Sequence, residues 1–182
     1  MPQLTKELIL EAFRRMGEIA HERGLQLEVS LYGGAVMLLV YNSRAITKDV
    51  DAVIVPEVEG REIVAVVAKE FGFDRDWLNS DVSQFLAPVG AKRPLAKEFQ
   101  GLKVSVPTAS YLLALKAMAS RRALPGYSGD EADLRFLLRK MNIGTVAEVQ
   151  SHIDRYFPDD VLPDQHAALI KSILGEVHSD DR

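Results

Sequence analysis

The sequence has no cysteine in its 182 residues. Disulfides, thiolate zinc sites and cysteine nucleophiles are therefore excluded. It also lacks any hydrophobic run of the roughly 20 residues that a transmembrane helix needs. Its N-terminal residues place charges among the apolar ones, which is not typical of a secretory signal. We expect a cytoplasmic protein with no membrane association.

Several catalytic signatures are missing as well. The sequence has no Gly-x-Gly-x-x-Gly, no Walker loop, no His-Glu-x-x-His and no Gly-x-Ser-x-Gly, which argues against the common dinucleotide, P-loop, zinc-protease and hydrolase sites. The net charge of −4 argues against a large non-specific nucleic-acid surface, although a local basic patch is compatible with it.

Periodicity divides the chain into a mixed front part and a helical back part. Residues 1–107 alternate predicted helices with predicted strands, and residues 108–182 read as helices only. We therefore predict an α+β fold, a mixed sheet with flanking helices followed by a C-terminal helical bundle. The predicted helices are 5–23, 35–41, 61–71, 109–121, 130–141, 145–156 and 162–176, and the predicted strands are 26–31, 49–55, 102–106 and, less clearly, 82–87.

A glycine pair and an acid pair lie close together in the front part. Gly33 and Gly34 follow the first long strand, and Asp49 and Asp51 open the next one. Residues two apart in a strand point to the same face, so we expect the two carboxylates to project together. Such a pair favours Mg²⁺ or Mn²⁺, which bind carboxylates together with substrate phosphates. The alternative is a charged strand end with no ligand.

A second group of charges belongs to the helical part. Lys116 lies within an apolar helical stretch, and Asp130 and Asp133 begin the helix that follows. A lysine among apolar residues is costly unless its charge is paired. These three residues are therefore predicted either to form an ion pair between two helices or to belong to a site.

Together the two groups resemble the nucleotidyltransferase superfamily of the polymerase-beta type, and most closely its AbiEii-type toxins. The first motif of that family, a glycine pair, an arginine and then Thr-x-Asp-x-Asp, corresponds to Gly33, Gly34, Arg44, Thr47, Asp49 and Asp51. The second, a lysine, an alanine, an arginine and then Asp-x-x-Asp, corresponds to Lys116, Ala119, Arg121, Asp130 and Asp133. The resemblance covers residues 32–139.

The resemblance implies a nucleotidyltransferase-like fold and a metal-dependent transfer of an NMP from an NTP to an acceptor, possibly RNA such as tRNA. It also implies a role in a toxin–antitoxin pair, with a cognate antitoxin as partner. Asp49 and Asp51 would hold the metal. The implied catalytic residues are Asp49, Asp51, Lys116, Asp130 and Asp133, and the implied substrate-binding residues are Gly33, Gly34, Arg44, Thr47, Lys48 and Arg121.

One departure keeps two other functions open. Polymerase-type enzymes add a third carboxylate from a later central strand, whereas the candidate strands 82–87 and 102–106 carry no acid, and Asp81 before the first is the only near candidate. Ser83 and Ser105 lie within these strands. Either Asp130 or Asp133 replaces that acid, or the chain is a catalytically degenerate module that binds a nucleotide or a partner. A small-molecule transferase such as an aminoglycoside adenylyltransferase is the third alternative. The basic loop 92–97 is predicted to be solvated or to face phosphates.

Overall fold

The computed structural model describes residues 3–88, 90–95, 97–120 and 130–180, with side chains as far as Val177. The predicted α+β class is confirmed: the chain has a five-stranded mixed sheet and ends in helices. Contacts divide it into two compact units. The first contains the residues up to Gln84 together with Lys92–Pro107, and the second contains Phe85–Ala91 and the residues from Thr108 onward.

The first unit contains three α-helices and seven strands among its described residues. The helices are α1 (Lys6–Glu22), α2 (Gly33–Leu39) and α3 (Glu57–Phe71). The strands are β1 (Leu4–Thr5), β2 (Leu27–Leu31), β3 (Ile46–Thr47), β4 (Val50–Val55), β5 (Leu78–Asn79), β6 (Lys92–Pro94) and β7 (Leu102–Pro107).

The main sheet has the strand order β5-β4-β2-β7-β6. Strand β2 is antiparallel to β4 and parallel to β7, so it occupies the centre. Its residues alternate between a buried apolar face, with Leu27, Val29 and Leu31, and a face with exposed Glu28 and half-buried Ser30. This alternation is typical of a sheet covered by helices on its apolar side.

Helix α3 packs closely on the apolar face of the sheet. A Cβ atom built on Gly60 would overlap the Ile54 side chain and lie 3.8 Å from Leu27. A larger residue at position 60 would therefore push α3 away from the sheet. The aromatic residues Phe13 and Trp77, whose ring centroids are 6.5 Å apart, fill the core beside it.

Interactions between residues close in the chain fix several helix boundaries. Thr5 caps α1 by accepting a hydrogen bond from the Leu8 N–H, and Gly72 ends α3 with a φ of +68°, a conformation that glycine adopts readily. Helix α3 nevertheless begins earlier than predicted. Pro56 serves as its N-cap, and Glu57 and Glu59 lie in its first turn, where acids favour a helix start.

The predicted strand at 82–87 is wrong. Asp81–Phe85 forms a 3-10 helix, since local polar contacts compete with strand pairing: the Asp81 N–H donates to Asn79 Oδ1, and Gln84 Nε2 donates to the Asp81 carbonyl. Phe85 is 60% exposed, so this segment has no buried face to hold it against the sheet. The basic loop at 92–97 contributes an edge strand, β6.

The second unit contains four α-helices among its described residues: α4 (Ala109–Ala119), α5 (Glu131–Lys140), α6 (Val146–Tyr156) and α7 (Asp164–Asp180). Thr108 caps α4 through the Tyr111 N–H. The predicted capping box of Thr145 and Glu148 is present at the start of α6. No described helix of either unit is both long enough and apolar enough to cross a membrane.

Candidate functional site

The glycine pair and the acid strand meet where β2 ends and β4 begins. The Tyr32 N–H donates to the Asp51 carbonyl over 2.8 Å, so the backbone before Gly33 is tied to the strand that carries Asp51. Gly33 is the first residue of α2. The glycine pair therefore forms the first two residues of α2, and the helix begins two residues before the predicted start at residue 35.

Gly33 is required at its position for two independent reasons. Its φ is +57°, a left-handed conformation that costs an ordinary L-residue about 1–2 kcal/mol. A Cβ atom on Gly33 would also overlap Asp51 Oδ2 and lie 3.2 Å from Asp51 Cγ. The Asp51 carboxylate therefore lies directly against the main chain of the glycine pair.

Gly34 brings two more of the predicted residues to the same place. A Cβ atom on Gly34 would lie 2.7 Å from Arg44 Nη1 and 2.8 Å from Thr47 Oγ1. Thr47 is buried, and its hydroxyl donates to the Asp49 carbonyl over 3.1 Å. A guanidinium, a hydroxyl and a glycine main chain thus converge beside Asp51.

The segment that carries Arg44 is held by contacts at both ends. Before Arg44, the Ser43 N–H and hydroxyl both donate to the Met37 carbonyl at the end of α2, and Lys6 Nζ donates to Asn42 Oδ1 over 2.7 Å. After it, Thr47 pairs with Leu4 in a two-stranded sheet. These contacts define the path of the chain around Gly34.

Asp49 and Lys48 differ from this packed group in being exposed. We predicted a strand beginning at Asp49, but β4 begins at Val50. Strand alternation consequently fixes the direction of Asp51 and not that of Asp49. Asp51 is half-buried and shares its sheet face with Val53, because residues two apart in a strand lie on one face.

No cluster of three or more metal-ligating side chains occurs in the part of the chain that the structure describes. Two carboxylates are compatible with Mg²⁺ or Mn²⁺, which commonly take one or two protein carboxylates and complete their shells with water and substrate phosphates. Asp49 and Asp51 therefore fit such an ion as partial ligands, and not as a closed site.

Two serines of the central strands and a nearby lysine lie where polymerase-type enzymes carry their third acid. Ser105 is on β7, which is a central strand, and its Oγ is 3.0 Å from Ser30 Oγ on β2. Lys92 Nζ donates to Ser30 Oγ over 3.0 Å. Ser30 was not among the predicted site residues, although a polar residue between Val29 and Leu31 in a predicted strand was the available signal.

In the second unit, Lys116 is paired with both predicted acids. Its Nζ is 2.7 Å from Asp133 Oδ2 and 3.4 Å from Asp130 Oδ1. The side chains of Lys116 and Asp133 are only 10% and 3% exposed. The two carboxylate contacts offset the cost of burying the Lys116 ammonium group. Arg121 lies outside the described residues.

A cavity of about 420 Å³ opens in the first unit beside β4 and α3. Arg61 extends into it, held by Glu57 Oε1 at 3.0 Å and by Ser80 Oγ at 2.5 Å. The described residues that line the cavity include none of the predicted site residues. They are Ala52, Val53, Ile54, Glu57, Arg61, Val64, Ala65, Arg75, Asp76, Leu78, Asn79, Ser80 and Ser83.

The chain matches no protein-family model, no curated protein and no solved structure.

Proposed function

We propose that the protein is a metal-dependent nucleotidyltransferase that transfers an NMP from an NTP to an acceptor hydroxyl, with RNA such as tRNA as the acceptor. One observation supports this most: the contact of Gly33 with the Asp51 carboxylate, next to the meeting of Gly34 with Arg44 and Thr47. This arrangement combines an acid, a guanidinium and a hydroxyl around a glycine main chain. The family resemblance adds a cytoplasmic toxin role, with a cognate antitoxin.

Each residue of this group has a proposed part in the reaction. Asp49 and Asp51 would hold Mg²⁺ or Mn²⁺, which supplies charge neutralisation at the phosphates when bound. Gly33 and Gly34 lack side chains, which lets Asp51 and Arg44 lie against their main chain, so a phosphate held by these two residues would lie near the glycine backbone. The Arg44 guanidinium suits bidentate contact with phosphate oxygens. Lys48, being exposed, adds a mobile positive charge.

The balanced reaction is a displacement at the α-phosphorus. The acceptor oxygen forms a bond to that phosphorus, the bond from it to the β-phosphate oxygen breaks, and pyrophosphate leaves. The hydroxyl proton passes to solvent. The residues of the first unit bind and orient the triphosphate for this displacement.

The roles of Lys116, Arg121, Asp130 and Asp133 remain predictions from the resemblance. That resemblance gives Lys116 a phosphate contact and gives the two acids a catalytic or orienting role. The ammonium group of Lys116 is already paired with both carboxylates, so it would have to exchange a partner to bind a phosphate.

The direct test is Asp51→Asn, which keeps the size of the side chain and removes its charge. We expect label transfer from α-labelled NTPs to bulk RNA, in the presence of Mg²⁺, to fall at least about 100-fold, because a metal ligand is lost. The matched control is Asp159→Asn, which alters an exposed acid of the second unit and should leave transfer unchanged. Undiminished transfer by Asp51→Asn, with a normal melting transition, would refute the proposal.

One observation favours a second function, a degenerate module that binds nucleotide without turnover. The central strand β7 offers the Ser105 hydroxyl in place of an acid. If this alternative holds, each NTP with Mg²⁺ raises the melting temperature while no pyrophosphate is released.

A further inference from the structure

The sheet face that carries Asp51 also carries several other polar residues, arranged around Val53. We call this surface the polar face, and it comprises Ser30, Asp51, Val53, Asn79, Lys92 and Ser105. Strand registers place them together. Ser30 is paired with Val53 on one side and with Ser105 on the other, and Asp51 is paired with Asn79. Directly paired residues, and residues two apart, share a face.

Lys92 joins this face from the edge strand. It is the register partner of Pro107, which is two residues from Ser105 on β7. Its side chain crosses β7 and ends with Nζ 3.0 Å from Ser30 Oγ on β2. The ammonium group is thereby held over the middle of the sheet.

This position is close to the acid of the proposed site. Ser30 lies opposite Val53, so Asp51 is its diagonal neighbour on β4. Diagonal neighbours in antiparallel strands are separated by about 7–8 Å, which a triphosphate chain can span. Strand β2 ends at Leu31, one residue before Tyr32 and two before Gly33, so the glycine pair lies at the same end of the sheet.

The chemistry of the Ser30, Ser105 and Lys92 group favours an anion. An ammonium group has three N–H donors, and Lys92 uses one of them on Ser30. Either serine can donate in the Ser30–Ser105 contact, and the hydroxyl of the other then has its proton available for an outside acceptor. A divalent cation would instead meet the positive charge of Lys92. The group therefore differs in kind from the third carboxylate that polymerase-type enzymes place on a central strand.

We propose that Lys92, held by the Ser30–Ser105 pair, binds a terminal phosphate of the NTP, and that it does so without a divalent cation. This inference rests on the proposed nucleotide site, and it adds a second, metal-independent point of attachment on the polar face. Phosphate binding beside Asp49 and Asp51 requires a metal ion, whereas phosphate binding by Lys92 does not.

The test measures binding of inorganic tripolyphosphate by calorimetry in EDTA, so that no metal contributes. The wild-type chain binds, and Lys92→Met weakens binding about tenfold, as expected for the loss of one charge-assisted contact. The matched control, Lys69→Met, alters a lysine in the last turn of α3 and leaves the dissociation constant unchanged. A third variant, Lys92→Arg, retains the charge and recovers most of the affinity.

A double-mutant cycle separates positioning from general charge. Ser30→Ala weakens tripolyphosphate binding in the wild-type background and has no further effect in Lys92→Met, because the serine acts through the lysine. Equal effects of Ser30→Ala in both backgrounds would overturn that coupling. Melting curves identify any variant that has simply lost its fold.

Two results would overturn the inference: no binding by the wild type in EDTA, or unchanged binding by Lys92→Met. Binding of an RNA oligonucleotide serves as a parallel measurement. Weakening of RNA binding alone in Lys92→Met would assign the lysine to acceptor phosphates and also contradict the inference. Label transfer is measured separately on the wild-type chain. Tripolyphosphate binding that depends on Lys92, together with no label transfer by the wild type, would keep this anion site and remove the transferase proposal.

Discussion

The contact between Gly33 and Asp51 gives the sharpest prediction, through Gly33→Ala compared with Gly72→Ala. Both glycines have nearly the same left-handed backbone, with φ values of +57° and +68°. A Cβ atom on Gly72 would meet nothing within 4 Å, whereas one on Gly33 would overlap Asp51 Oδ2. The difference between the two variants therefore isolates the contact with the acid.

The magnitudes follow from these two geometries. An alanine in left-handed backbone destabilises the folded state by about 1–2 kcal/mol. Replacing glycine by alanine also lowers the conformational entropy of the unfolded chain, which stabilises the protein by about 0.4–1 kcal/mol. Gly72→Ala should thus lower the free energy of unfolding by about 1 kcal/mol. In Gly33→Ala the carboxylate must rotate away, which adds about 1 kcal/mol, the lower end of the range for overpacking.

Unfolding in urea, followed by circular dichroism, measures the two free energies. The displaced Asp51 oxygen should also reduce Mg²⁺-dependent label transfer by at least about tenfold in Gly33→Ala, with no change in Gly72→Ala. If the two variants lose the same stability and both retain transfer, the contact has no energetic or functional role and the reasoning is refuted.

Two further predictions concern the second unit. Lys116→Met should lower the free energy of unfolding by about 3–5 kcal/mol, because it removes the ammonium group that contacts two carboxylates with only 3% and 20% of their side chains exposed. Adding Asp133→Asn to Lys116→Met should restore part of the lost free energy of unfolding. If urea unfolding shows that Lys116→Met alone loses less than about 1 kcal/mol, the ion pair is not structural. Thr145→Ala should remove the capping box of α6 and cost about 1 kcal/mol. The Thr145 hydroxyl holds the pKa of Glu148 below its ordinary value of 4.5. The part of the stabilisation that depends on the Glu148 carboxylate is therefore present above pH 4.5 and is lost as pH falls through the lowered pKa. A stability difference between wild type and variant that is equally large in acid would contradict this.

The motif that begins at Gly33 shows which features of the site could be predicted from the sequence. Gly33, Gly34, Arg44, Thr47 and Asp51 were selected from the sequence through a family pattern, and they do lie together. The pattern did not indicate which pairs would touch. That Gly33 meets Asp51 while Gly34 meets Arg44 and Thr47 depends on the register of β2 against β4, which is set by long-range strand pairing.

The direction of Asp49 and the position of Lys92 could not be read from the sequence for a related reason. Strand alternation is a reliable guide only inside a strand, and β4 begins one residue after Asp49. Lys92 belonged to a basic stretch that gave no strand signal. It became part of the polar face because β6 pairs with β7, and its partner Ser30 is 62 residues away in the chain.

The sequence alone determined what local chemistry controls: the caps at Thr5, Thr108 and Thr145, the helix end at Gly72, and the apolar periodicity that gives an α+β chain. Tertiary structure decided what depends on neighbours distant in the chain. It replaced the predicted strand at 82–87 with a 3-10 helix and placed a serine pair and an ammonium group on the polar face. The physical reason is that a cap or a helix end is fixed by interactions within a few residues, whereas a sheet face is assembled by hydrogen bonds between strands whose register no local pattern specifies.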